Sequence, residues 1–310
     1  MSDDFTARVE RHRRELQLHC YRMTGSFHDA EDLVQETLLR AWRARKSFAG
    51  RASLRTWLYR IATNVCLDAL AKRPRKPASG PTEVPWLEPY PDELLDRVAA
   101  DDDLPDATVV ARETIELAFL VAIQHLPPRQ RAVLLARDVL GWSAAETAEL
   151  LDLSVAGVNS ALQRARTTMR ERLPARRTEW TAAEQSEAER ELLDRYLDAH
   201  DRADADALTA LLGEEMRFTM PPNPFTTEGV EAFVEMCRGA FVGPEALGHF
   251  KLVPTRANGQ PAAAEYIEAP GDDRYRALGL DVLTVRDGKI VAVTTFEPHI
   301  FAAFGMPMEL

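Results

Sequence analysis

WSAAETAELLDLSVAGVNSALQRARTTMRERL, residues 142–173, is the stretch on which the reading of this chain turns. Ser143 stands three residues before Glu146, the spacing of a capping box, and opens a short helix. Ala144, Ala148 and Leu151 then recur at i, i+4 and i+7 and give it one apolar face. Asp152-Leu153-Ser154 breaks the pattern. Asp tolerates the left-handed backbone of a tight turn, and Ser154 can cap the next helix. Val155, Val158, Leu162, Ala165 and Met169 repeat at steps of three and four, so the second helix carries one buried stripe. Its opposite face presents Ala156, Asn159, Ser160, Gln163, Arg164 and Thr167. Short hydrogen-bonding groups with guanidinium are the chemistry that reads base edges and phosphates. Two helices, a tight turn and such a face predict a helix-turn-helix. An ordinary amphipathic hairpin with a solvated face fits the same spacing.

The rest of the chain bears on that choice through its charge. The 310 residues carry a net charge of −11, the wrong sign for a nucleic-acid binder taken as a whole. The distribution is more telling. Residues 1–77 hold 16 Lys+Arg against 9 Asp+Glu, and residues 112–177 hold 10 against 7. Between them residues 78–111 hold 1 against 9, and residues 178–310 hold 11 against 24. Two basic blocks are thus separated by an acidic segment and followed by an acidic domain. The acidic segment also holds Pro81, Pro85, Pro89, Pro91 and Pro105, the composition of an extended linker. Its charge serves solubility, or lets it fold back on a basic surface.

Residues 5–73 read as helical. Arg8 to Thr24 carries Val9, Leu16, Cys20 and Met23 at helical spacing. His28 to Arg45 comes next, with an acidic first turn and a basic last turn that suit the helix dipole. Ser53 to Lys72 interleaves Arg55, Arg60 and Lys72 with Trp57, Tyr59 and Asn64, a pattern that fits single-stranded nucleic acid. A core Trp57 with solvated arginines accounts for it equally. Cys20, Cys66 and Cys237 have no metal-binding or CxxC spacing, and no residue pattern points to a metal or other cofactor. No apolar run is long enough to span a membrane, and the first residues are too charged for a secretory signal, so a cytoplasmic protein is expected.

The order of the motifs carries a resemblance. DAEDLVQETLLRAW (Asp29–Trp42), FAGRASLRTWLYRIATNVCLDALAKR (Phe48–Arg73) and LPPRQRAVLLARDVLGWSAAETAELL (Leu126–Leu151) resemble, in family order, the extracytoplasmic-function (group 4) sigma factors of the sigma-70 superfamily. The resemblance implies core RNA polymerase and promoter DNA as partners, an anti-sigma factor as a further one, and no covalent chemistry. It implies that Asp29, Glu31, Asp32, Gln35 and Glu36 contact the polymerase clamp. Arg55, Trp57, Arg60, Asn64, Lys72 and Arg73 would lie at the opened −10 element. Asn159, Ser160, Gln163, Arg164, Arg166 and Thr167 would lie at the −35 element. Recognition helices of the family carry Lys and Arg where this one has Asn159, Ala161 and Gln163, so a weaker and less salt-sensitive −35 contact is expected.

Residues 178–310 read as helices and then a meander of strands, an α+β pattern. Asp287-Gly288 marks a tight hairpin. RFTMPP (Arg217–Pro222), DGKIVAVTTF (Asp287–Phe296) and the element order resemble the SnoaL-like family, whose cone encloses a pocket. Tyr196, Phe218, Met220, Phe233, Tyr266, Asp281, Phe296 and His299 are the candidates for that pocket, though core packing or rim polarity is the readier explanation of each. The expected fold is therefore multidomain: two all-α helical sigma domains and a C-terminal α+β cone. The expected boundaries are 1–75, a linker over 76–111, 112–177 with the helix-turn-helix, and 178–310. The C-terminal domain is expected to regulate, with or without a small-molecule ligand. The competing readings are a stand-alone ligand-sensing transcription regulator and a DNA-tethered SnoaL-like enzyme. The Asp29–Trp42 helix speaks against the first, since a stand-alone factor needs no clamp surface.

Overall fold

The computed structural model describes residues 2–48, 53–72, 84, 86–95, 116–173, 187–244 and 246–310. It divides into two compact units, Met1–Pro77 with Leu94–Thr181, and Ala78–Glu93 with Ala182–Leu310.

The first unit is all-α. It opens with α1 (Ser2–Glu10), α2 (Arg13–Thr24), α3 (Phe27–Ala44) and α4 (Leu54–Lys72). The periodicity from Arg8 to Thr24 predicts one helix, but the chain breaks at Arg11-His12 and makes two. His12 instead pairs with Glu15 across the first turn of α2, Nδ1 to Oε1 at 2.5 Å. Gly25 closes α2 in the left-handed conformation, at φ 73°, and its N–H donates to the Tyr21 carbonyl. Ser26 then caps α3 by accepting the Asp29 N–H at 3.1 Å. Leu16, Tyr21, Met23, Leu58, Ala62 and Cys66 are fully buried between the helices.

Four more helices follow among the described residues: α5 (Leu117–Gln124), α6 (Pro128–Leu134), α7 (Ala144–Leu151) and α8 (Val155–Arg172). Pro128 sits in the first turn of α6, where its missing N–H costs nothing. A single π-helical turn, Leu135–Val139, extends α6. The capping box is formed: Ser143 Oγ accepts the Glu146 N–H at 3.2 Å, and the Glu146 carboxylate accepts the Ser143 N–H at 2.8 Å. Asp152 is left-handed at φ 52°. Ser154 caps α8 by accepting the Gly157 N–H at 3.0 Å. Val158, Leu162, Ala165 and Met169 are buried as the periodicity requires, but Val155 is 47% exposed. It is the first helical residue, where the stripe has run past the helices that α8 packs on.

One guanidinium ties this unit together. Arg131, on α6, is only 4% exposed. It donates to the carbonyls of Ile123 (3.0 Å), Gln124 (2.9 Å) and Leu126 (3.1 Å), which end α5. It also donates to Gln124 Oε1 at 2.5 Å and to the carbonyl of Met23, at the end of α2. Gln124 Nε2 donates in turn to the Arg22 carbonyl at 3.2 Å.

The second unit is α+β. α9 (Glu187–Asp201) and α10 (Ala205–Thr209) precede β1 (Leu212–Met220), β2 (Asn223–Glu228), α11 (Val230–Phe241), β3 (His249–Ala257), β4 (Gln260–Glu268), β5 (Arg276–Arg286) and β6 (Lys289–Phe296). The sheet order is β2-β1-β6-β5-β4-β3. The β1–β6 pair is parallel and the others antiparallel. α9 and α11 cover one face, with Leu192, Tyr196, Phe233, Phe250, Leu283 and Val293 in one core. On the other face the 3-10 segment Pro298–Phe304 brings Phe301 to 5.4 Å from the Tyr266 ring. β2 and the segment Pro298–Phe304 have no counterpart among the elements expected from the sequence. Both edge strands, β2 and β3, contain a proline, Pro224 and Pro254. Among the described residues no helix is long and apolar enough to cross a membrane.

Arg131→Ala leaves four carbonyls without this donor in a buried site. It is expected to destabilise the helical unit by about 3–5 kcal/mol. Ser154→Ala, a lost cap, is expected to cost about 1 kcal/mol. Denaturant titration of the full chain, followed by helical circular dichroism, checks both values and their order.

Candidate functional site

The outward face of α8 is the best-formed candidate surface. Ala156, Asn159, Ser160, Gln163, Arg164, Arg166, Thr167 and Arg170 are all exposed along it. Its scaffold is rigid for a local reason, since both helices of the pair begin on a side-chain cap. The arginines differ in readiness. Arg166 is engaged, Nε and Nη2 meeting the two Asp138 carboxylate oxygens at 3.0 and 2.7 Å. That hydrogen bond raises its already high pKa and points it back at the π turn. Arg170 donates to the carbonyl of Arg166 at 3.3 Å.

The α4 surface is drawn into internal contacts. Arg55 Nε donates to Glu15 Oε2 at 2.6 Å, and its guanidinium lies 5.2 Å from the Tyr59 ring centroid. Burial works to raise the Glu15 carboxyl, but the His12 hydrogen bond and the Arg55 charge outweigh it and hold the group low. Tyr59 is buried and donates to the same carboxylate at 3.0 Å. Behind it His19, buried against Thr63 at 2.9 Å, is driven down to about 3 by desolvation and the Arg22 charge, and is neutral. Trp57 is half-buried, packed between Phe5 and Phe48 with centroids at 6.5 and 5.2 Å. Arg60 pairs with Glu149 of α7 at 3.0 Å, and Tyr59 makes an edge contact with Trp142. Asn64 and Lys72 are exposed; Arg73 lies outside the described residues.

On α3, Glu31, Asp32 and Gln35 are exposed, while Asp29 and Glu36 are half-buried. Glu36 accepts from Arg40 at 2.7 Å, and Arg40 also reaches Asp68 at 2.8 Å. Beside these acids α3 and α1 enclose a groove of about 490 Å³, lined by Phe5, Val9, Gln35, Leu38, Leu39 and Trp42. Leu39 is 51% exposed at its rim. Sequence reasoning, which takes one helix at a time, did not find this groove.

Of the residues expected around one pocket in the C-terminal unit, Tyr196, Phe218, Met220, Phe233 and Asp281 lie together, and Tyr266, Phe296 and His299 do not. Tyr196, Phe218 and Phe233, with Met220 against them, belong to the core under the helices. Tyr266 packs on Phe301 instead, its hydroxyl donating to the Pro307 carbonyl at 2.9 Å. Phe296 pairs with Leu280 across the sheet, in register away from Thr295 and Asp281. His299 lies at the surface, 3.5 Å from Glu88. The strand period of two separates these sets, and a one-residue change of register would exchange them.

Asp281 is the centre of a buried polar cluster. Tyr196 donates to its Oδ2 at 2.7 Å and Thr295 to its Oδ1 at 2.5 Å. Glu265, on the neighbouring strand, is hydrogen-bonded to it as well. Burial first, and then the Asp281 charge, push the Glu265 carboxyl well above the usual carboxylate range. A carboxyl raised in this way keeps its proton near neutral pH, so Glu265 can act as a donor. His200 is kept neutral by burial and bonds the Tyr196 carbonyl through Nδ1 at 2.9 Å. Gly279 leaves room for the cluster; a Cβ there would stand 2.8 Å from Thr295 Cγ2. Glu265 and Thr295 were not anticipated, and an acid set inside the apolar stretch from Pro261 to Ile267 was the available signal.

A capped helix-turn-helix, a basic helical module before it and a mixed α+β cone after it define a sigma-70-type promoter-recognition protein with an appended domain. Family models for sigma-70 region 2, sigma-70 region 4 and the SnoaL-like domain match residues 8–76, 116–169 and 193–293. The ECF RNA polymerase sigma factor SigG of Mycobacterium tuberculosis (strain H37Rv) is 44% identical, over 99% of this chain and 85% of that protein. SigJ of the same strain is 31% identical over 91% of this chain and 88% of its own length. The crystal structure of M. tuberculosis SigJ superposes with a TM-score of 0.64 at 26% identity, covering 99% of this chain and all of that one. The chain belongs to the extracytoplasmic-function sigma factors.

The Glu265 carboxyl titrates higher in the fold than in the open chain. Its contribution to stability is therefore complete below the ordinary value of 4.5 and is lost as pH rises through the folded value. Glu265→Gln keeps a donor to Asp281 and removes the proton. It is expected to flatten the fall in melting temperature between pH 6 and 9, one proton setting a slope of at most about 1.4 kcal/mol per pH unit. Calorimetry of the two chains side by side reads the difference.

Proposed function

We propose that the protein directs core RNA polymerase to a specific set of promoters, as a cytoplasmic initiation subunit without catalytic chemistry of its own. The observation that carries this is the exposed polar face of α8 on a doubly capped helix-turn-helix, set behind a basic helical module. Asn159, Ser160, Gln163, Arg164, Arg166 and Thr167 read the −35 element. Asn and Gln suit adenine edges, and the arginines hold phosphate or guanine. Arg55, Trp57, Arg60, Asn64, Lys72 and Arg73 meet the opened −10 strand, which the ring of Trp57 can stack upon once unpaired. Asp29, Glu31, Asp32, Gln35 and Glu36 face the polymerase clamp, and the α1–α3 groove with Leu39 at its rim supplies apolar area beside them. Arg55, Arg60 and Arg166 must exchange their ion pairs for phosphate. The Arg60 and Arg166 pairs are the more exposed ones and exchange at little cost, whereas Arg55 would leave a largely buried Glu15.

The C-terminal domain is read as a regulator of the other modules. Its buried carboxylate, Asp281, is already met by Tyr196 and Thr295, which favours action through the surface of the domain over turnover of a substrate. An anti-sigma factor or a small ligand would supply the outside signal.

Reconstitution tests the reading. The full chain, added to core RNA polymerase and fragmented parent genomic DNA, is expected to generate a small set of discrete transcript 5′ ends sharing two upstream motifs. Random or absent starts overturn it. Arg164→Ala is expected to weaken binding about 5- to 100-fold at those promoters, as the loss of one good base or phosphate contact does. Arg166→Ala, whose guanidinium is shared with Asp138, is expected to cost less. Footprinting over the −35 region reads both.

A further inference from the structure

One cation of the α8 face is already occupied from within the chain. Asp138 stands in the π turn Leu135–Val139 that extends α6. Such a turn takes one residue more than an α turn, which rotates the chain at its end by about 100° against a regular helix. α8 packs on α6, and Asp138 meets it through a two-point pair. Asp138 Oδ2 accepts from Arg166 Nε at 3.0 Å, and Oδ1 accepts from Nη2 at 2.7 Å. The charged groups nearest in the sequence are engaged elsewhere. Arg137 donates to the Trp142 carbonyl, and Glu146 closes the capping box on Ser143. The Arg166 side chain is 56% exposed and that of Asp138 31%, so the pair lies where an arriving nucleic acid can reach it.

The pair has the chemistry of a phosphate contact. A guanidinium holds a phosphate through two parallel N–H···O bonds, and here Asp138 fills that fork. Carboxylate and phosphate cannot both take the Nε–Nη2 edge, and a carboxylate in place repels an incoming anion. We propose that Asp138 is an internal stand-in for a DNA phosphate: it holds Arg166 and so keeps the grip of α8 on the −35 element weak and little dependent on salt. The proposal rests on the promoter-reading role given to α8 above and names the residue that sets the strength of that contact. Asn159, Ser160 and Gln163 are neutral, so of the residues exposed along the face only Arg164, Arg166 and Arg170 carry charge. Affinity and salt slope both follow the number of phosphates neutralised, and a held Arg166 removes one of three cations from that number. A chain that grips duplex weakly by itself stays on DNA only where polymerase holds it as well.

Two variants test it. Asp138→Asn keeps the size and one acceptor but removes the charge, and Asp138→Ala removes the acceptor too. The full chain is titrated, over a series of salt concentrations, on a duplex carrying the upstream motif that the reconstitution returns. Both variants are expected to bind about threefold tighter than wild type, within the range that an exposed two-point pair can shift. The plot of log affinity against log salt is expected to steepen by about 0.9, the increment of one phosphate contact. Arg166→Ala, made in the Asp138→Asn chain, is expected to abolish the gain, while Arg164→Ala weakens both backgrounds by the same factor. Unchanged or weaker binding in both variants overturns the proposal. If both variants lose their helicity, the pair belongs to the fold and the proposal fails. A gain that survives Arg166→Ala shows that Asp138 does not act through this guanidinium, and that also overturns it. A wild-type chain that directs polymerase to discrete starts leaves the sigma-factor reading standing through each of these results. Failure of the wild type to do so brings down that reading and the proposal with it.

Discussion

A guanidinium taken out of water has to find partners for all its donors, and Arg131 finds them in the open end of one helix and the open end of another. Pro127 and Pro128 have no N–H to give the Ile123 and Gln124 carbonyls four residues before them, at the end of α5. Arg131 reaches back from α6 to fill that gap, and its remaining donor meets Met23 at the close of α2. The corner between α5 and α6 is therefore fixed by the residue that joins it to the first helical module. α8, which packs on α6 and α7, inherits its position from this corner. Buried charges of this sort are poor sources of net stability but good at fixing one arrangement over its alternatives.

The same logic of satisfied polar groups runs through the molecule at lower energy. Ser26, Ser143, Ser154 and Asp204 each cap a helix through a side-chain oxygen. In the C-terminal domain, Tyr196, Thr295 and Glu265 surround Asp281 so that its carboxylate is met on every side. Such a cluster gives the sheet and α9 a fixed registry that apolar packing alone specifies weakly. In the helical unit Glu15 pairs with Arg55 and Glu149 with Arg60.

What could be read from the sequence was what depends on neighbours along the chain. The box Ser143–Glu146, the left-handed Asp152 and the Ser154 cap result from spacing within four residues, and the structure forms all three. The hairpin expected at Asp287-Gly288 joins β5 to β6. Features made by distant partners were hidden. Nothing near Arg131 marks it as buried, because Met23 lies 108 residues away. Glu265 stands beside Tyr266 in the sequence, and only the sheet register decides which of the two joins Asp281. The acidic segment reads as an extended linker from its prolines and acids, yet Tyr90 meets Asn258 from 168 residues off. β2 was obscured by Pro221-Pro222 before it and by a composition poor in apolar residues.

The prolines at the borders of the sheet have a consequence for how this molecule lives with its own copies. A sheet ends in two rows of unpaired amides, and those rows are where one chain recruits the next into fibrous aggregates. Here each outer strand carries a residue with no amide hydrogen, Pro224 on one border and Pro254 on the other. The acidic segment brings a third, Pro91, to the tip beside Ala257. Copies of this chain that meet edge to edge thereby find borders on which polymerisation has a poor template.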